Sequence, residues 1–217
     1  MTEYIPLIEV AETRGFASGP FGSNLVSKDY VERGVPVIRG ANMLSSAVVG
    51  GEFVYVSHEK YIRDLKSNTA LAGDLVFTQR GTLGQVAVVP DSFEGPLVIS
   101  QSQMRLRVDT ARFDTRFVLA ACRSEHFKKQ IADRAITGGV PHINLGILKE
   151  LTVPKLALSQ QVAIGEFLGA LDDKIAANCR VISAGDELIR VLYSSTPKAS
   201  RGRTFADIAV VGGGGTP

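Results

Sequence analysis

Residues 158–193 read LSQQVAIGEFLGALDDKIAANCRVISAGDELIRVLY. Positions spaced alternately by four and three pick out Ile164, Leu168, Leu171, Ile175, Asn178, Ile182, Gly185, Ile189 and Leu192, an a/d seam kept up for about four heptads. Ser159 can cap the first turn, and Pro197 stops the last. The spacing predicts a helix over 159–193, roughly 50 Å long. A helix of that length has little core to lean on within one small domain, so it asks for a partner helix, and the seam residues are its candidate dimer and docking positions. Two of them are poor hydrophobes. Asn178 can fix register and partner number, and Gly185 permits close approach or a bend. The other reading leaves both as weak spots in a helix packed on its own domain.

Outward from the helix the composition changes. Segment 158–196 carries 3 Lys+Arg against 5 Asp+Glu, segment 1–157 carries 18 against 16, and segment 197–217 carries 3 against 1. Segment 1–157 has the pattern of a mixed, β-rich α/β domain, with short apolar runs between glycines and prolines. The expected strands are 35–40 (VPVIRG), 74–79 (DLVFTQ), 85–90 (QVAVVP), 97–108 (LVISQSQMRLRV) and 149–154 (KELTVP). The clearest helix is expected over 115–133, with Phe117, Ala120, Ala121, Phe127 and Ile131 on one face, and a shorter one near IPLIEVAE.

The 217 residues suffice for one ordinary domain plus an appendage. With 45% hydrophobic and 21% charged residues and no bilayer-length apolar run, the composition is that of a soluble protein. The start MTEYIPLIEV lacks a signal peptide's basic and apolar regions, so a cytoplasmic protein is expected, with no membrane partner. Cys122 and Cys179 have no CxxC spacing and are read as reduced thiols. The net charge of +2 does not by itself announce a nucleic-acid binder, so such a function would rest on local charge distribution.

Several motifs together resemble the specificity subunit of type I restriction-modification enzymes. They are SGPFGSNL (18–25), GVPVIRGANM (34–43), GDLVFTQRGTLGQVAVVP (73–90), VISQSQ (98–103) and, most specifically, NLGILKELTVPKLALSQQVAIGEFLGALDDKIAAN (144–178). The resemblance implies a β-rich α/β target-recognition domain followed by a long coiled-coil helix. It also implies double-stranded DNA, methyltransferase subunits and, through the complex, restriction and translocase subunits as partners. A full subunit of the family has two recognition domains, each with its helix. Here 1–157 would be one recognition domain, 158–196 its spacer and dimerisation helix, and 197–217 the start of a second, truncated domain. FADIAVVGGGGTP (205–217) repeats the pattern of LIEVAETRGFASGP (7–20), which supports that division. The unpaired spacer helix then implies a homodimer that copies the symmetry of a complete subunit.

Candidate DNA contacts lie on strands and glycine-rich loops. In 98–108, period two places Gln101, Gln103, Arg105 and Arg107 opposite Val98, Ser100, Ser102, Met104 and Leu106. Gln can bond adenine and Arg guanine in the major groove, although the same pattern describes a plain solvated strand face. Arg80, Thr82 and Gln85 sit on the turn TQRGTLG, Ser18, Ser23 and Asn24 on ASGPFGSN, and Thr137, His142 and Asn144 on TGGVPHIN. Arg39 closes the strand 35–40. For every loop, ordinary turn chemistry competes with DNA contact.

Enzymatic signatures are absent from the sequence pattern. There is no Walker A loop, VVGGGGTP does not fit GxGxxG before a helix, and no Asn-Pro-Pro-aromatic tetrapeptide marks an amino-methyltransferase. Cys122 and His126 at i, i+4 are two potential ligands without companions, so neither metal nor cofactor is expected. The leading expectation is a non-catalytic DNA-reading subunit. The alternatives are the recognition part of an adenine-N6 DNA methyltransferase and a coiled-coil adaptor that reads no sequence.

Overall fold

The computed structural model describes residues 3–195. In chain order the elements are β1 (Tyr4–Pro6), α1 (Leu7–Val10), β2 (Ala11–Ser18), β3 (Tyr30–Val31), β4 (Val35–Ile38), β5 (Val54–Val56), α2 (His58–Lys60), β6 (Thr69–Ala70), β7 (Leu75–Thr78), β8 (Val86–Val88), β9 (Leu97–Ile99), β10 (Gln103–Val108), α3 (Thr115–Arg123), α4 (Glu125–Arg134), α5 (Leu145–Glu150), β11 (Thr152–Pro154) and α6 (Leu158–Ser195). Short 3-10 and π turns join them. The chain divides into two compact units, Met1–Asp173 and Lys174–Pro217, and each is described by itself.

The first unit is organised around β7. Its run Leu75-Val76-Phe77-Thr78 is buried at every position, the mark of a strand covered on both faces. Leu75 and Phe77 enter a large cluster with Met104 and Leu106 of β10 and Phe117, Val118, Phe127 and Ile131 of α3 and α4. Val76 points the other way, into a second cluster with Ala87, Ile38, Leu97 and Ile99. The four-stranded sheet β2-β10-β7-β8 is antiparallel throughout. The five-stranded sheet β3-β5-β4-β9-β6 has one parallel pair, β4 with β9. Its other face carries Val35, Val37 and Val98 into a third cluster with Leu25 and Leu65. β1 and β11 pair antiparallel, which ties the N-terminal segment to the chain entering α6.

Three expected elements differ. The strand over 97–108 is two strands in different sheets, Leu97–Ile99 in the five-stranded sheet and Gln103–Val108 in the four-stranded one, parted by a turn. Between them the Ser100 N–H donates to the Ile38 carbonyl (2.9 Å), and Gln103 N–H closes a turn on the Ser100 carbonyl (3.0 Å). The helix over 115–133 breaks at Ser124, whose extended backbone ends α3 and starts α4. Its hydroxyl donates to the Ala121 carbonyl (2.7 Å) and accepts from the Phe127 N–H (3.2 Å), so one serine closes the first helix and caps the second. At 149–154 the helix continues through Glu150, and only Thr152–Pro154 is extended.

The long helix matches its expected bounds within two residues at each end. Ser159 lies inside the first turn rather than capping it. Buried Gln161 anchors that turn, accepting from the Asp114 N–H (3.1 Å) and donating to the Leu156 carbonyl (2.9 Å). Gly165 lets the helix approach α3 closely, since a Cβ there would stand 2.3 Å from Asp114 Oδ1 and 3.0 Å from the Phe117 nitrogen. Arg123 on α3 pairs with Asp172. These contacts hold the start of α6 in the first unit, which runs to Asp173. From Lys174 onward Ile175, Ile182, Ile189 and Leu192 are all exposed. Among the described residues no helix is long and apolar enough to cross a membrane.

Candidate nucleic-acid interface

Antiparallel pairing brings three loops to one end of the four-stranded sheet, and a fourth joins them through backbone hydrogen bonds. At that end lie Ser18 of β2, Gln103 of β10, Thr78 of β7 and Val86 of β8, through the registers Met104↔Ser18, Gln103↔Thr78 and Phe77↔Val86. The loop after Ser18 crosses the turn at 100–102 so tightly that a Cβ on Gly19 would fall 1.9 Å from the Ser100 carbonyl oxygen. Only glycine allows that passage. Gln101 holds the loop there, its Nε2 donating to the carbonyls of Gly22 (2.6 Å) and Leu25 (3.0 Å). The turn also binds its other neighbour, where the Gln79 N–H donates to the Ser102 carbonyl (2.7 Å).

The loop carrying Arg80 and Thr82 is in turn joined to the segment 136–144. Ile143 N–H donates to the Gln79 carbonyl (3.0 Å), Arg80 forms an isolated bridge with His142, and Ile136 and His142 exchange two backbone hydrogen bonds (2.8 and 3.2 Å). Four stretches that are far apart in sequence thus form one continuous rim.

Side chains on this rim differ in what they can offer. Ser23, Asn24, Arg80, Thr82, Gln101, Thr137 and Asn144 are exposed; Ser18, Arg39, Gln85 and His142 are half-buried. Some are already engaged. Asn144 accepts from the Ile147 N–H (2.9 Å) as N-cap of α5, Gln85 Oε1 meets the Thr78 hydroxyl (3.3 Å), and His142 Nδ1 lies 3.2 Å from the Val140 carbonyl. The Ser18 carbonyl accepts from buried Asn68 Nδ2 at 2.7 Å.

Gln103 and Arg105 are corrections to the expected reading face. The alternation in β10 is real, with Met104 and Leu106 on the core side, but the opposite face is buried rather than exposed. Gln103 is wholly enclosed, its amide nitrogen donating to the Ile38 carbonyl (3.2 Å) and the Ser100 hydroxyl and its oxygen accepting from the Gly40 N–H (3.2 Å). Arg105 donates to the Arg14 carbonyl (3.1 Å) and lies 3.9 Å from Asp74. Arg107 makes a two-pronged pair with Asp74, both bonds 2.7 Å, and Asp74 also accepts from the Leu71 N–H (2.8 Å). Burial lowers the pKa of Arg105, with Asp74 partly offsetting it, whereas hydrogen bonding to Asp74 raises that of Arg107. Neither Gln103 nor Arg105 presents an edge to a base.

The sequence reading passed over Tyr30, which shares a cleft with Arg39 and Gln101. Nothing in the local sequence marks it, because β3 reaches the cleft only through its pairing with β5. Cys122 and His126 stand on different helices; Cys122 is buried, and the His126 ring packs 5.0 Å from that of Tyr4. Among the described residues no group of three His, Cys, Asp or Glu side chains is placed to hold a metal ion.

The family model for the type I restriction modification DNA specificity domain matches residues 21–183. The chain belongs to that family. Across this specificity domain the match takes in the turn at 100–102, the loops carrying Arg80 and His142, and α6 through Ser183. The MjaVIII type I restriction enzyme specificity subunit of Methanocaldococcus jannaschii is 24% identical over 177 residues, covering 80% of this chain and 40% of that protein. The fold resembles that of the HsdS subunit from Thermoanaerobacter tengcongensis, with TM-score 0.58, 17% identity, and 82% and 39% of the two chains covered. It also resembles the type I restriction-modification S subunit from M. genitalium, with TM-score 0.61, 18% identity and coverages of 88% and 44%. The specificity-domain chain thus spans about two fifths of the length of these relatives.

Proposed function

We propose that this chain is the sequence-reading subunit of a type I restriction-modification system and carries no catalysis of its own. It recognises one half of a bipartite site in double-stranded DNA. The observation that carries this reading is the gathering of four loops at one end of a rigid sheet, where Ser23, Asn24, Arg80, Thr82 and Thr137 stand exposed. Backbone amides and hydroxyls there would position phosphates, and Arg80 would reach a base edge.

On the same reading α6 docks methyltransferase subunits and, through them, restriction and translocase subunits. Its seam also pairs antiparallel with a second copy, giving a two-fold dimer in the cytoplasm suited to a split palindrome. Support comes from the apolar positions that remain open along it: Ile164 is 37% exposed, Leu171 49%, Ile175 53%, Ile182 63% and Ile189 65%. Segment 197–217, assigned to the start of a second recognition domain, lies outside the described residues. The test is selection from a random duplex pool at near-physiological salt, by the chain alone and with its methyltransferase subunits. Enrichment of a split palindrome is expected. Attachment that is indifferent to sequence and lost with salt would favour the adaptor reading, and methyl transfer by the purified chain alone would favour the enzyme.

A further inference from the structure

Arg39 follows β4, half-buried, at the edge of a cleft of about 240 Å³ lined also by Leu25, Tyr30, Gln101 and Ser102. Its guanidinium makes no hydrogen bond or ion pair among the described residues, and its Nε is buried without a partner. Arg105 Nε is likewise buried without a partner, but that guanidinium bonds the Arg14 carbonyl, whereas none of the Arg39 guanidinium nitrogens has a partner among the described residues, which leaves its terminal nitrogens for something the protein itself does not supply. Gln101 complements it. Its Nε2 gives both hydrogens to the Gly22 and Leu25 carbonyls, which leaves Oε1 as an acceptor with no protein donor. The residues lining the cleft therefore include a guanidinium fork and an amide acceptor that have no protein partner, beside Tyr30 and Leu25.

We propose that this cleft reads a G·C base pair in the major groove, with Arg39 donating to guanine N7 and O6 and Gln101 Oε1 accepting from cytosine N4. The major-groove edge of that pair presents two adjacent acceptors followed by a donor, the complement of what the cleft displays. An A·T pair separates its two acceptors by a donor and fits the fork poorly. A phosphate would bring its oxygens against Gln101 Oε1, acceptor against acceptor. The inference rests on the sequence-reading function proposed above and assigns one base pair of the half-site to one pair of side chains.

The test repeats the duplex selection, using the full chain with its methyltransferase subunits, and compares wild type with Arg39→Met and Arg39→Lys. The wild type should select a half-site containing one invariant G·C pair. Arg39→Met should lose preference at that pair by roughly 10- to 100-fold and keep the others. Arg39→Lys, which keeps the charge but not the fork, should lose the same preference while retaining salt dependence. Replacing the selected guanine with 7-deazaguanine should weaken wild type and leave Arg39→Met unchanged. The melting temperature of Arg39→Met should hold or rise, because an unpaired buried donor has gone.

Equal loss on every duplex, with the salt slope reduced by about one, would make Arg39 a phosphate contact and overturn the proposal. Unchanged selection by the variants, or a fall in melting temperature together with loss of all binding, would overturn it as well. A wild type that enriches nothing defeats the sequence-reading function and this inference with it. Enrichment by wild type that the variants reproduce defeats this inference alone.

Discussion

Replacing Asp74 tests whether the polar face of β10 is a structural network or a reading surface. The carboxylate is 1% exposed and accepts two 2.7 Å bonds from Arg107 and one of 2.8 Å from the Leu71 N–H, with Arg105 at 3.9 Å. Breaking a buried ion pair by removing one partner costs about 3–5 kcal/mol. Arg107 keeps 31% of its side-chain surface in water and can rehydrate, whereas Arg105 keeps 9% and cannot. The loss for Asp74→Ala therefore belongs near the lower end, about 3 kcal/mol. For a unit of this size that is a fall in melting temperature of roughly 6–12 °C. Asp74→Asn, which keeps the volume and an acceptor for Leu71, should lose less.

The discriminating variant is the double replacement Asp74→Leu with Arg107→Met. Arg105 loses Asp74 in the single and the double variant alike, so the direct coupling of Asp74 and Arg107 should show as a double variant less destabilised than the sum of Asp74→Leu and Arg107→Met. The assay is urea unfolding followed by circular dichroism, with the four corners of the mutant cycle compared at constant slope. A loss below about 1 kcal/mol for Asp74→Ala, or additive single losses, would refute the network. Normal stability combined with loss of preference at one base pair would return this face to DNA reading.

Gly165→Ala should destabilise the first unit by about 1–3 kcal/mol, as steric overpacking does, because the added methyl meets Asp114 and the backbone of Phe117; thermal unfolding checks this. Cys122 is buried, and desolvation raises its thiol pKa far above the usual range, whereas Cys179 is exposed. Dithionitrobenzoate at pH 8 should therefore titrate one thiol in the folded protein and two in denaturant. Replacing Leu171 and Ile175 by lysine, both on the seam and both about half-exposed, should leave the recognition domain folded and convert a dimer to a monomer in sedimentation equilibrium. An unchanged mass would refute the pairing.

The long helix was legible because its signal is redundant: seven apolar seam positions carry the period past Asn178 and Gly185. The short strands at 35–38, 75–78 and 86–88 were legible because β-branched and aromatic runs stop at glycine or polar turns. The break at Ser124 was not, since a serine inside an amphipathic run is tolerated in a helix until its side chain finds a capping N–H. In β10 the alternation gave the correct sides for Met104 and Leu106 but could not say what covers the other side. That depends on Asp74, 33 residues away from Arg107, and on the second sheet. The rim residues on loops were legible as loops; their convergence followed only from strand register.

The same covering bears on where the proposed reading of DNA would take place. With β7 buried on each side and Gln103 and Arg105 of β10 covered, the middle of the central sheet offers little surface to a ligand. The two ends of its strands are unequal. At Ser18, Thr78, Gln85 and Gln103 the chain leaves as two polar loops and a short turn that hydrogen-bond to one another. At the other end, past Val108 and Val88, the groove beside the first half of α6 is bordered by Val89, Pro90, Asp91, Leu168 and Asp172. That end is occupied by the helix that Gln161 and Gly165 seat against α3. β10 spans six residues, about 20 Å, between them. Within the first unit the packed sheet thus keeps the loop end apart from the start of α6 that is seated against α3.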